Sequence, residues 1–426
     1  MARLLADLTP LRQSPAFKRL WIGNTLSAVG GQLTLVAVSL EVYALTGSSL
    51  YVGLLGAFAL VPLVLTGLYG GSVADAHDRR KVALASAMVL WATTAAIAAQ
   101  AWLGVDNVWV LYGLVAIHSG AGGINQSTRG AIIPAIVGLK LLPAANSLNM
   151  VTFGIAQMIG PLLGGLLVAQ IGFGWTYTID VLTYGAAVWS VYKLPALPPE
   201  GTPARAGLRS VIEGFRFLGT QPNVRMTFLI DIAAMVLAAP RALLPAIGAV
   251  LIGGGELTMG VLLAATAMGA FLAGLFSGPV GRIHRQGAAV FLCVCAWGAS
   301  IGLFGMVVIL AARSPVPSDG SAGAWLWPAA ACMALAGVAD AVSSVFRTTI
   351  LQAATPDHLR GRLQGVFIVV VAGGPRLGEM LSGSVAGGIG EGWTLLAGGI
   401  ACIVAAAALM RWEPGFLRYD ARHPAP

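Results

Sequence analysis

Polar and apolar positions alternate in long blocks along this chain of 426 residues. Runs of largely apolar residues fall near 18–45, 49–73, 81–103, 107–130, 144–170 and 174–194, and again near 224–252, 257–280, 287–312, 324–348, 363–389 and 392–412. Each reaches the roughly 20 residues that an α-helix needs to cross about 30 Å of hydrocarbon. The pattern therefore predicts an all-α integral membrane protein with twelve transmembrane helices, here called spans 1 to 12. A proline-rich, charged stretch between spans 6 and 7 breaks the series. It ends in an amphipathic piece with Val211, Ile212, Phe215 and Leu218 on one face, read as a surface helix lying along the membrane. The predicted organisation is a cytoplasmic N-terminal tail (1–17), a six-helix bundle (18–195), a cytoplasmic linker (196–223), a second six-helix bundle (224–413) and a cytoplasmic C-terminal tail (414–426).

The polar residues set the orientation. Loops after spans 2, 4, 6, 8 and 10 carry Arg79, Arg80, Lys81, Lys140, Lys193, Arg205, Arg209, Arg216, Arg282, Arg285, Arg360 and Arg362, while the opposite loops carry Arg313 alone. By the positive-inside rule both termini are cytoplasmic, which requires an even number of spans. The opening MARLLADLTPLRQSPAFKRLW is charged and interrupted by Pro10 and Pro15, so it reads as a cytoplasmic tail and not as a cleavable leader.

The halves repeat. At an offset of 207, Gly67–His77 lies on Gly274–His284; at an offset of 218, Arg129 lies on Arg347, Gly160 on Gly378 and Gly165 on Gly383. The longer loop after span 9 absorbs the change of offset. Weak self-similarity of this kind is what duplicated transporters show, with the substrate site near the bilayer midplane between the halves.

Composition agrees with the pattern. The hydrophobic fraction is 57%, the charged fraction 10% and the mean hydropathy +0.82, against about 25% charged in soluble domains. The net charge of +8 sits in alternate loops, so it fixes topology and points to no nucleic acid partner. Cys293, Cys295, Cys332 and Cys402 lie inside apolar runs and read as packing thiols, with no metal and no cofactor implied.

The stretch GSVADAHDRRK, with Gly71, Asp75, Arg79 and Arg80, resembles the loop motif G-x-x-x-D-R/K-x-G-R-R/K of the major facilitator superfamily, with Ala76 and Asp78 departing from it. GPLLGG, Gly160 to Gly165, resembles the fifth-span motif of the superfamily's antiporter branches. LLPAANSLN and the opening SPAFKRLWIGNTLSAVGGQ resemble the twelve-span drug:proton antiporter group that includes the enterobactin exporter and macrolide efflux pumps. The resemblance runs over almost the whole chain, although the fourth-span Arg motif of other drug antiporters is not matched by Arg129, which lies at the cytoplasmic end.

The resemblance implies the major facilitator fold in the inner membrane of a bacterium, acting as a functional monomer. It implies export of a small amphiphilic substrate, siderophore or drug-like, by proton antiport through alternating access, with the proton gradient as energy source. Gly71, Asp75, Arg79 and Arg80 would form a conformational latch, Asp75 facing the positive start of span 11 near Gly361. The face of Gly160, Gly164 and Gly165, on a helix bent by Pro161, would pack near span 8 at the domain interface.

Ionisable groups within spans cost roughly 2.5–3.5 kcal/mol each on insertion scales, so their default reading is functional. Glu41, Asp231, Arg241, Asp340, Arg376 and Glu379 are the candidates for proton coupling or cavity lining. Asp231 and Asp340 stand on the cavity-lining spans 7 and 10, with Arg241 near Asp231 in sequence. Arg376 and Glu379, at i and i+3, can form an ion pair. Asp180 reads as structural, His118 as a hydrogen-bonded structural histidine, and Trp21, Phe58, Phe153 and Met158 as apolar cavity candidates. An importer of a small metabolite is the rival on the same fold. An intramembrane enzyme lacks a recognisable constellation, with Asp340 standing as a lone acid, and a channel would not need two matched halves.

Overall fold

The computed structural model describes residues 8–198, 216, 218–275, 283–315, 321–354, 357–420 and 422. A short helix, Thr9–Gln13, precedes span 1, Pro15–Thr46. Span 2 is Ser49–Ala76 and span 3 Arg79–Leu103. Spans 4, 5 and 6 follow in one helical run, Val108–Tyr192, interrupted at Gly138 (φ 71°) and Gly172 (φ 76°). Both interruptions need backbone in the left-handed region, which glycine enters without steric cost. After the interhalf stretch come span 7, beginning as Pro222–Leu237, span 8, Gly255–Leu275, and span 9, Gln286–Ala311. Span 10 is Leu326–Ala354, span 11 Asp357–Ile389 and span 12 Glu391–Trp412. Helix thus occupies all twelve predicted places. Among the described residues nine stretches are long and apolar enough to cross a membrane, and one of these, Lys140–Tyr192, holds spans 5 and 6 together. The amphipathic positions Val211, Ile212 and Phe215 lie outside the described residues.

Local chemistry explains the ends. Asp78 caps span 3 by accepting a hydrogen bond from the Arg80 amide at 2.9 Å, and Gly104 closes it with φ 62°. Asn107 caps the next run through the Trp109 amide at 2.9 Å.

Span 7 departs from the continuous helix predicted. Its first segment stops at Leu237, a 3-10 turn spans Arg241–Leu243, a single helical turn Leu244–Ala246, and a π-helical turn Ile247–Leu251. Pro240 is the cause: it offers no N–H and disfavours helical backbone at the residue before it.

The chain divides into two compact units. The first holds Met1–Glu41 with Phe58–Gly207, the second Val42–Ala57 with Leu208–Pro426. The sequence repeat has a physical counterpart inside each. In the first unit Gly160 of span 5 lies on span 1, where an added Cβ would collide with Gln32. In the second unit its repeat mate, Gly378 of span 11, lies on span 7 against the Met235 carbonyl and Ala239. Close helix approach through small residues is what lipid-embedded packing relies on.

Gly160 and Gly164 of GPLLGG face Val29, Gln32, Leu33 and Val36 of span 1, so their smooth face serves packing within the first unit. Pro161, Gly164 and Gly165 are buried with them.

The C-terminal tail is docked. Phe416, in a 3-10 turn at Phe416–Arg418, is buried, and Gly287 at the start of span 9 admits its carbonyl so closely that no side chain fits there. Arg225 pairs with Glu413 at 3.6 Å and covers the Trp412 ring at 4.7 Å.

Candidate functional site

Within the second unit, spans 7 and 10 bring three charged residues together. Arg347 forms an ion pair with Asp231 and donates from Nη2 to Asp340 Oδ1 at 3.2 Å. Asp340 and Arg347 are seven residues apart, two turns of one helix, and so share a face. Asp231 arrives from span 7. The Asp231 side chain is 9% exposed and Arg347 14%, whereas Asp340 is 42% exposed. A small cavity between them is lined also by Ser343, Cys293 and Trp297. Two carboxyls and one guanidinium leave one acid in surplus, and the geometry marks Asp340, the more open of the two, as that acid.

Two readings of the sequence change here. Asp340 is not a lone acid, because the fold sets it beside Asp231 through a shared arginine. Arg241 does not serve Asp231: beyond the break in span 7 it stands at Glu379, and the cation at Asp231 is Arg347. Arg347 was absent from the candidates drawn from sequence. Its trace was the repeat, which aligns it with Arg129, the other arginine near the end of a cavity-lining span.

Arg241, Arg376 and Glu379 form a second cluster in the same unit. Arg241 Nη1 stands 4.0 Å from Glu379 Oε1, and Arg376 Nη1 3.8 Å from Oε2. The i, i+3 pair expected on span 11 exists, with Arg241 added from the broken part of span 7. Here the imbalance is reversed, two cations to one acid.

The first unit treats its acids differently. Glu41 is buried, accepting from the Tyr177 hydroxyl at 2.5 Å and from Gln100 Nε2 at 2.7 Å. Asp180 is fully buried and accepts from Thr34 at 2.5 Å and Thr183 at 3.1 Å, with Gly30 on span 1 leaving room for its carboxyl. Both acids fasten span 6 to its neighbours with hydroxyl and amide donors. His118 bonds Thr93 at 3.1 Å through Nδ1.

Of the loop motif, Gly71 and Asp75 lie on span 2, but their surroundings fall outside the described residues. The described part of the loop is anchored to the end of span 6. Asp78 accepts from the Leu197 amide at 3.2 Å, the Arg79 amide donates to the Leu197 carbonyl at 3.0 Å, and Arg80 donates to the Tyr192 carbonyl at 2.7 Å. Asp78, which replaces the glycine of the motif, thus ties the two loops together with Arg79 and Arg80. Among the aromatic candidates, Phe58 stacks on Tyr112 at 4.7 Å, Trp21 donates to the Leu148 carbonyl at 3.5 Å, and Phe153 is exposed.

The profile of the transmembrane secretion effector family matches residues 5–414. The chain belongs to that family. Enterobactin exporter EntS of Shigella boydii is 28% identical over 419 residues, covering 96% of each chain, and EntS of Escherichia coli O157:H7 is equally similar. Among solved structures, a mutant of the nucleoside transporter NupG superposes with a TM-score of 0.73 at 14% identity, covering 93% of this chain and 100% of that one. A bacterial homologue of the iron transporter ferroportin gives 0.68 at 14%, covering 93% and 98%. The fold is that of the major facilitator transporters, and this family member is a multi-pass membrane transporter of a small molecule and not an enzyme.

Proposed function

We propose that this chain exports a small amphiphilic molecule, siderophore or drug-like, across the bacterial inner membrane in exchange for protons, as a functional monomer working by alternating access. The names of its relatives support export, and the basic loops after even-numbered spans support cytoplasmic termini. The observation that carries proton coupling is the Asp231–Arg347–Asp340 cluster. One arginine cannot compensate two carboxylates, and an uncompensated charge within the membrane is costly, so the surplus acid binds a proton when the site is shut off from water. When the site opens to the lower-proton side, Asp340 releases it and turns to Arg347. Arg347 thereby links proton occupancy to the contact between spans 7 and 10. Gly71, Asp75, Arg79 and Arg80 act as the latch of the cytoplasmic side.

The test is purified protein in liposomes under an imposed pH gradient, with enterobactin and a macrolide as probes. Proton-driven accumulation on the side that corresponds to the cell exterior is expected for the wild type. Asp340→Asn should keep downhill exchange and lose accumulation. Full accumulation by both Asp340→Asn and Asp231→Asn would exclude this cluster as the proton site.

A further inference from the structure

Span 7 is interrupted where Arg241 begins a 3-10 turn, and span 11 carries Pro375 immediately before Arg376. At 4.0 Å and 3.8 Å from Glu379, the two guanidiniums are held by loose ion pairs, too long for hydrogen bonds. Neither guanidinium has a hydrogen-bond partner among the described residues. Arg241 is 36% exposed and Arg376 23%, while the Glu379 carboxyl is 9% exposed. Gly56 on span 2, in the same unit, lets that helix close on the cluster: an added Cβ would stand 2.6 Å from the Arg376 carbonyl and 3.0 Å from Glu379 Oε2.

These facts combine into an unfilled valence. Each guanidinium offers five N–H donors in a planar fork that matches an oxyanion bidentately. Two such forks converge on one carboxylate that bonds neither well, so one positive charge and most donors remain to be matched. The partner must bring negative charge and acceptor oxygens. Broken helices and π-helical turns recur at the substrate sites of transporters, because irregular backbone survives in a membrane only where it lines a cavity or is buried in protein.

We propose that Arg241 and Arg376 form an oxyanion subsite that takes a carboxylate or phenolate-type group of the transported molecule, with Glu379 as an internal occupant that the ligand displaces. This rests on the export reading for its substrate, but the binding step can be measured without transport. It also gives the two clusters of the second unit opposite tasks: the cluster short of one positive charge holds the proton, and the cluster with one to spare holds the anion.

The experiment uses the purified full-length protein in detergent and three probes that share one ring system: 2-naphthoate, 2-naphthamide and 2-naphthylmethylammonium. Calorimetric titration is expected to give 2-naphthoate at least about tenfold tighter binding than the amide, the size of one charge-assisted hydrogen-bond pair. Arg241→Gln and Arg376→Gln should each erase that preference. Arg241→Lys should keep part of it, and Glu379→Gln should tighten the carboxylate several-fold by removing its competitor. Thermal unfolding without ligand checks that each variant is folded, and Glu379→Gln gives a gain that misfolding cannot imitate. Equal binding of the three probes, no binding of 2-naphthoate by the wild type, or a carboxylate preference that survives both Gln variants would overturn the subsite. Intact carboxylate selectivity with no export from liposomes would overturn the export reading alone.

Discussion

Arg347 of span 10 and Asp231 of span 7 form an ion pair across two helices that the sequence separates by 116 positions, 347 less 231. Both side chains are largely buried, and Asp340 leans on the same guanidinium.

Removing one member of such a pair leaves a charge without its counter-ion. Arg347→Gln should cost about 3–5 kcal/mol of stability and abolish proton-driven accumulation. Asp231→Asn should cost less, because Asp340 remains to compensate Arg347. The double variant Asp231→Asn/Arg347→Gln should recover part of the loss. Thermal unfolding of the four proteins in a double-mutant cycle measures the coupling, and additive losses would show that the pair does not act as a unit.

Glu41 should prove structural. Its carboxyl is engaged by Tyr177 and Gln100, and an amide can still accept from the tyrosine. Glu41→Gln is therefore expected to retain proton-coupled transport, while Tyr177→Phe, which removes a buried donor, should lower stability by about 1–3 kcal/mol. Loss of coupling in Glu41→Gln with normal folding would return Glu41 to the proton pathway.

The paired glycines give a matched prediction. At Gly160 a new side chain meets Gln32 Cβ, an atom fixed to its backbone, and at Gly378 it meets the backbone carbonyl of Met235. Overpacking costs about 1–3 kcal/mol and more where nothing can yield. Gly160→Val and Gly378→Val should therefore both destabilise, read as the drop in unfolding midpoint of the two purified variants, and an unchanged midpoint in either would show that its helix contact can give way.

Orientation can be checked by labelling. Cysteines placed between 313 and 323 should react with an impermeant thiol reagent added outside intact cells, and cysteines between 196 and 220 should not. The reverse pattern would invert the topology.

If Asp75 serves the proposed latch, Asp75→Asn removes a charge that a helix start would reward with roughly 0.3–2 kcal/mol. Normal expression with slowed transport is the expected result. Transport at the wild-type rate would reduce the motif to a topology determinant.

The apolar runs alone were enough to place the spans, because crossing a bilayer demands about 20 apolar residues per helix and leaves that length written in the chain. The duplication was legible as well: Gly160 and Gly378, aligned at an offset of 218, make the same close helix contact on spans 1 and 7. Every acid now found in a cluster could also be picked out, since charge inside an apolar run stands out in any reading. Which charges meet was settled by packing in three dimensions. Asp231 passed over Arg241, ten residues away, for Arg347, because the direction of a side chain follows from helix phase and from the break at Pro240, neither of which apolar periodicity resolves. For the same reason the contact of Gly160 and Gly164 with span 1 was not legible in the sequence. A uniformly apolar helix announces its length but carries no polar stripe to say which face is turned to which neighbour.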